Sequence, residues 1–107
     1  MTSTAKTLRK LADQSAAAWQ GAIDSAHVDY ERTGNPLREE AADTAASESE
    51  DAWEAACLAL DAGDHAACLE HLETARSLAS EYGCTDPERK AIELVTAART
   101  AAEPPHP

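Results

Sequence analysis

A chain of 107 residues is one domain with room for one modest core. Alanine is its commonest residue, Phe is absent, and aromatics make up only 4%, while the formal charge is −11 at pH 7. That charge argues against direct nucleic-acid binding, which leaves a basic patch as its footprint, and against docking on anionic membranes.

The N-terminal MTSTAKTLRKLADQ lacks the apolar core of a signal peptide, and residues 14–23, the longest run free of formal charge in the first helical stretch, are too few to span a bilayer. A soluble, cytoplasmic protein is expected. Three cysteines (Cys57, Cys68, Cys84) are an odd count, which reads as thiols in a reducing compartment and not as a disulfide framework. Cys57 and Cys68 lie nearly equidistant from Gly63, a spacing that lets them face each other across a helical hairpin.

Four helical stretches follow from the punctuation at GNP 34–36, GD 63–64, GCTDP 83–87 and PPHP 104–107. The first, about 4–32, repeats Leu8, Leu11, Ala12, Trp19, Ala22, Ile23, Ala26 and Tyr30 at helical spacing. The second opens with Asn35 as N-cap and Pro36 at the first helical position, where a missing N–H costs nothing, and stops near Ala62 with Gly63 in a left-handed conformation. Ala41, Ala45, Ala52, Trp53, Ala56, Ala59 and Leu60 share its core arc. Ser47, Glu48 and Ser49 are poor helix-interior residues together, and Ser47 with Glu50 reads as a capping box. The stretch is therefore either one helix or two, about 36–46 and 48–62.

Asp64 caps the third helix, whose stripe is Cys68, Leu72, Ala75, Ala79 and Tyr82. Thr85 with Glu88 reads as a capping box for the fourth, with Ala91, Ile92, Val95, Ala98 and Ala102 as its stripe. No segment alternates as a strand does. Short connections favour antiparallel neighbours, so the expected fold is all-α, a single up-down bundle of about four helices over 1–103, with a flexible Pro-rich tail at 104–107.

The acidity belongs to the second stretch. Residues 35–64 hold nine carboxylates and one arginine, a net of −8, whereas residues 1–34 balance to zero. At about 100° per residue, Glu39, Asp43, Glu50, Glu54 and Asp61 fall on one side, expected opposite the core, with Glu40 and Asp51 flanking them. On a continuous helix this is a stripe about 33 Å long. Like charges four residues apart destabilise a helix by a few tenths of a kcal/mol per pair, roughly, so the stripe is not there for helix stability. Leu58 projects among these carboxylates, as an apolar centre with a charged rim would. The expectation is that Glu39, Glu40, Asp43, Glu50, Asp51, Glu54, Leu58 and Asp61 contact a basic or nucleic-acid-binding protein. Duplex DNA of the same length carries about twenty charges, so seven carboxylates imitate part of one backbone and not a duplex.

Two resemblances add to this. In size, acidity and helical composition the whole chain is similar to small phage-encoded inhibitors of bacterial defence, anti-CRISPR proteins among them, a likeness that implies an inhibitor of a nuclease or nucleic-acid-binding complex. Residues 53–75, WEAACLALDAGDHAACLEHLETA, resemble one tetratricopeptide hairpin, with Trp53, Leu60, Gly63 and Ala75 at the large, large, turn and small positions. The loop is one residue short, the closing proline is missing and no second copy follows, so this likeness implies a close-packed helical hairpin. It also supplies the alternative function, a helical adaptor or oligomerising scaffold.

Chemistry is not expected. His65, Cys68 and His71 rotate steadily around their helix, with no CxxC or HExxH beside them, and Asp24–His27 lacks the partner motif of a di-metal bundle. Neither a catalytic residue, a metal nor a cofactor is expected, and the protein is read as a non-enzyme.

Overall fold

A computed structural model describes residues 3–83 and 85–102; Cys84, the expected 104–107 tail and the residue before it lie outside the described residues. Four helices follow one another: α1 (Ser3–Thr33), α2 (Leu37–Asp61), α3 (His65–Ser80) and α4 (Asp86–Ala102), with no strand among the described residues. Each packs on the next, and α4 closes the ring against α1. The molecule is a rod of 63 × 19 × 19 Å.

The turns are built by the expected residues, with one change of role. Gly34 and Gly63 adopt φ of +74° and +79°, the left-handed conformation that side chains resist. Asp64 caps α3 by accepting from the Ala67 N–H at 3.1 Å. At the start of α2 the cap position falls on Pro36, and Asn35 acts from one residue earlier, its Oδ1 accepting the Leu37 N–H at 3.1 Å.

α2 is continuous, so the two-helix alternative is not realised. Ser49 explains why: it is fully buried, and its Oγ accepts the Trp19 indole N–H at 3.0 Å. A serine with an external partner does not compete for its own backbone, and the capping box at Ser47–Glu50 is not needed. The expected capping box at Thr85–Glu88 is absent for the same kind of reason, because Glu88 turns inward and forms buried side-chain bonds.

The core has two parts. The larger gathers Leu8, Leu11, Trp53, Ala56, Cys57, Cys68, Leu72, Ala91 and Val95 from all four helices, and the smaller sets Trp19 of α1 against Ala45 and Ala79. Trp19 also meets Tyr82 edge-on, with ring centroids 4.9 Å apart. Three expected core positions differ. Ala41 and Ala102 are exposed, with Ala42 buried in place of its neighbour Ala41, and Tyr30 is 38% exposed.

Helix lengths account for the exposure of Tyr30. α1 and α2 have 31 and 25 residues, α3 and α4 only 16 and 17. At 1.5 Å per residue the long pair outruns the short pair by roughly 10–20 Å. α3 ends at the level of Trp19, so the α1–α2 hairpin projects beyond it, with Val28 and Leu37 58% and 65% exposed at its tip.

Candidate functional site

Polar rungs fix the register of α1 against α2. Arg9 pairs with Asp61 at 2.7 Å, Ser15 accepts the Trp53 indole N–H at 3.1 Å, Ser49 accepts that of Trp19, and His27 meets Glu39 at 3.0 Å. As α1 numbers rise, α2 numbers fall, which makes the pair antiparallel. The two outer rungs use the end members of the carboxylate stripe.

This changes the expected placement of the stripe. It does not lie opposite the core but on the flank of α2 that looks toward α1. Glu39 and Asp61 clamp the two helices together, while Asp43, Glu50 and Glu54 line a groove of about 830 Å³ between them. Asp13 of α1 faces these three from the other wall. None of the four groove carboxylates pairs with a cation among the described residues. Glu40, Asp51 and Leu58 form a separate outward strip, within about 20° of one another at 100° per residue. Leu58 is 60% exposed there and does not line the groove.

Behind the groove floor lies a buried polar cluster that pattern reading missed. Ser15 Oγ donates to Glu88 Oε2, and the Trp53 indole N–H reaches both Ser15 Oγ and Glu88 Oε2 at 3.1 Å. Glu88 is 1% exposed, its Oε1 has no hydrogen-bond partner, and no cation pairs with it among the described residues. Three helices thus meet at one carboxylate. The signal was present in the spacing: Ser15, Ser49 and Glu88 each occupy a core position of their helix, four residues from Leu11, Ala45 and Ile92 respectively.

Titration behaviour is perturbed at three sites. The hydrogen bond and charge of Glu39, with help from Glu31, hold the exposed His27 above its usual 6.5. A raised histidine stabilises the fold fully below about 6.5 and loses that contribution as pH rises through its folded value. His27→Gln is therefore expected to lower the melting temperature relative to the parent at about pH 5.5 and to match it by about pH 8.5. Melting curves at the two pH values check this, and a difference that grows with pH would contradict the clamp. Burial pushes the Cys57 thiol up and that of Cys68 up to about 11, so both stay protonated and weakly nucleophilic at neutral pH. Both are free thiols in the core.

Cys68 points into the core while His65 and His71 are half-buried, and no group of three His, Cys, Asp or Glu among the described residues is placed to hold a metal ion. No described helix is long and apolar enough to cross a membrane.

The fold and the groove define the chain as an all-α four-helix bundle with an acidic cleft along its longest helix pair. Comparison with protein-family models, curated proteins and solved structures returns no match.

Proposed function

We propose that the chain is a small acidic protein–protein interaction module, an inhibitor of the anti-CRISPR or anti-defence type that docks α2 on a basic or nucleic-acid-binding protein. One observation carries this reading: the middle carboxylates of the stripe form no ion pair among the described residues, although the same fold pairs the two ends. Unpaired Glu50 and Glu54, four residues apart, disfavour their own helix, and a cationic partner relieves that repulsion. The unbroken α2 supplies a rigid support about 33 Å long for the charges. Glu40, Asp51 and Leu58 extend the surface around the outside of the same helix.

With Glu39 and Asp61 paired, five carboxylates over that length stand for about a quarter of the charge on duplex DNA, so the mimicry is of part of one phosphate backbone at most. Salt tests the reading. A basic partner captured from host lysate at about 0.1 M salt is expected to be released as salt approaches about 1 M, where the Debye length falls to about 3 Å. A partner held equally at both concentrations contradicts it.

That second outcome favours the alternative of a tetratricopeptide-like adaptor or an oligomerising scaffold. Its specific support is the exposed Val28 and Leu37 on the projecting hairpin tip.

A further inference from the structure

We propose that the α1–α2 groove seats a basic amphipathic helix supplied by the partner protein, lying along the bundle as a fifth helix. This deepens the acidic-docking reading and rests on it. The groove lining runs from Arg9 to Ile23 on α1 and from Asp43 to Cys57 on α2. Each span is about 21 Å of helix axis, or roughly four turns.

The floor suits a helix. Ala12, Ala16 and Ala46 line it, and such small side chains let a second helix approach to about 8 Å between axes, the near end of the normal range. The rim selects for positive charge: Asp13 on one wall and Asp43, Glu50 and Glu54 on the other form no ion pair among the described residues, and the lining cation Arg9 is held by Asp61. Glu88 lies one hydrogen bond behind the floor residues Ser15 and Trp53 and holds both in place. Phosphate would be repelled.

Spacing separates a helix from an extended segment. The three α2 carboxylates stand seven and four residues apart. A helix with Arg or Lys at i, i+7 and i+11, or i, i+4 and i+11 in the reverse direction, presents its cations on one edge in the same axial steps, all within about 40°. A strand rises about 3.3 Å per residue and matches those steps with a different sequence pattern.

The test uses the full chain and two synthetic peptides of roughly 16 residues, both alanine-rich with Leu anchors and three Arg. In one the arginines follow the i, i+7, i+11 pattern, and in the other the same residues are scattered around the helix. Calorimetric titration at low salt is expected to show the patterned peptide binding at least about tenfold tighter than the scattered one. Asp43→Lys/Glu54→Lys should abolish that binding. Glu70→Lys/Glu93→Lys, an equal change of net charge at exposed sites on α3 and α4, should leave it within about twofold. Ala16→Trp, which plugs the floor without altering charge, should weaken it by at least about tenfold. Ala16→Leu replaces it if circular dichroism shows the first plug unfolded.

Equal binding of both peptides, or full binding by a folded plug variant, overturns the seated helix. If Asp43→Lys/Glu54→Lys still loses binding in that case, the acidic-docking reading survives without it. No binding of either peptide overturns the seated helix as well, and the salt-dependent capture then judges the broader reading separately.

Discussion

Glu88→Ala is expected to lower stability by about 2–4 kcal/mol, whereas Glu88→Gln costs at most about 1 kcal/mol. The difference follows from what each side chain leaves behind. Alanine removes the acceptor for the Ser15 hydroxyl and one of the two acceptors for the Trp53 indole N–H, and it opens a void where α1, α2 and α4 meet. Glutamine keeps an amide oxygen in the accepting position and places its NH₂ where Oε1 already lacks a partner. For a domain whose total stability is about 5–15 kcal/mol, the alanine change removes a large share. Thermal melts should register it as a fall of roughly 10–20 °C, and glutamine as a few degrees. Equal effects of the two substitutions would contradict this account, because glutamine keeps both the volume and the accepting oxygen that alanine removes.

Trp19→Ala carries the second large effect, about 3–5 kcal/mol. Trp19 is the one large buried residue of the smaller core among the described residues, where it packs on Ala45 and Ala79, meets Tyr82 edge-on and bonds Ser49. Alanines around it cannot collapse far enough to refill the site, so most of the cavity remains. Trp19→Phe keeps an aromatic ring but loses part of the indole volume and the N–H bond, for about 1–3 kcal/mol. Because Trp19 holds the end of α3, the damage should be local as well as global. Hydrogen exchange is expected to quicken first in residues 78–82 and in the projecting hairpin, while the Leu8–Leu72–Val95 region stays protected. Uniform loss of protection along the rod would contradict two separable core parts.

Much of this architecture was legible in the residue pattern, because it depends on local chemistry. The glycines at 34 and 63, the Asp64 cap and the helical recurrence of apolar residues each act over a few positions, and together they give four helices in their order. What was not legible depends on partners far away in sequence. Ser49 looked like a helix breaker until Trp19, thirty residues earlier, occupied its hydroxyl. Glu88 looked like a capping residue, and instead it reaches Ser15 across 73 positions. The stripe was located correctly on α2 but aimed wrongly. A wheel drawn for one helix separates core from solvent and does not show a second helix drawn up along the flank, where Arg9 and His27 take the stripe's two ends.

That pairing also bears on residues 39–54, EEAADTAASESEDAWE, which hold seven carboxylates and no Lys or Arg. The bundle has cations enough to neutralise the ends of the acidic stripe and leaves its middle open. Carboxylates kept unpaired at a stability cost are what an electrostatic docking site requires, and removing them should help the fold while harming the function.

The decisive measurement is therefore a joint one on Asp43→Asn/Glu50→Gln/Glu54→Gln: its melting temperature and its capture of the basic partner, each beside the parent chain at low salt. The expected result is a melting temperature equal or higher, by the equivalent of roughly 0.5 kcal/mol, together with loss of capture. A variant that melts lower, or that holds the partner as the parent does, would contradict the claim that these carboxylates are reserved for a cationic partner.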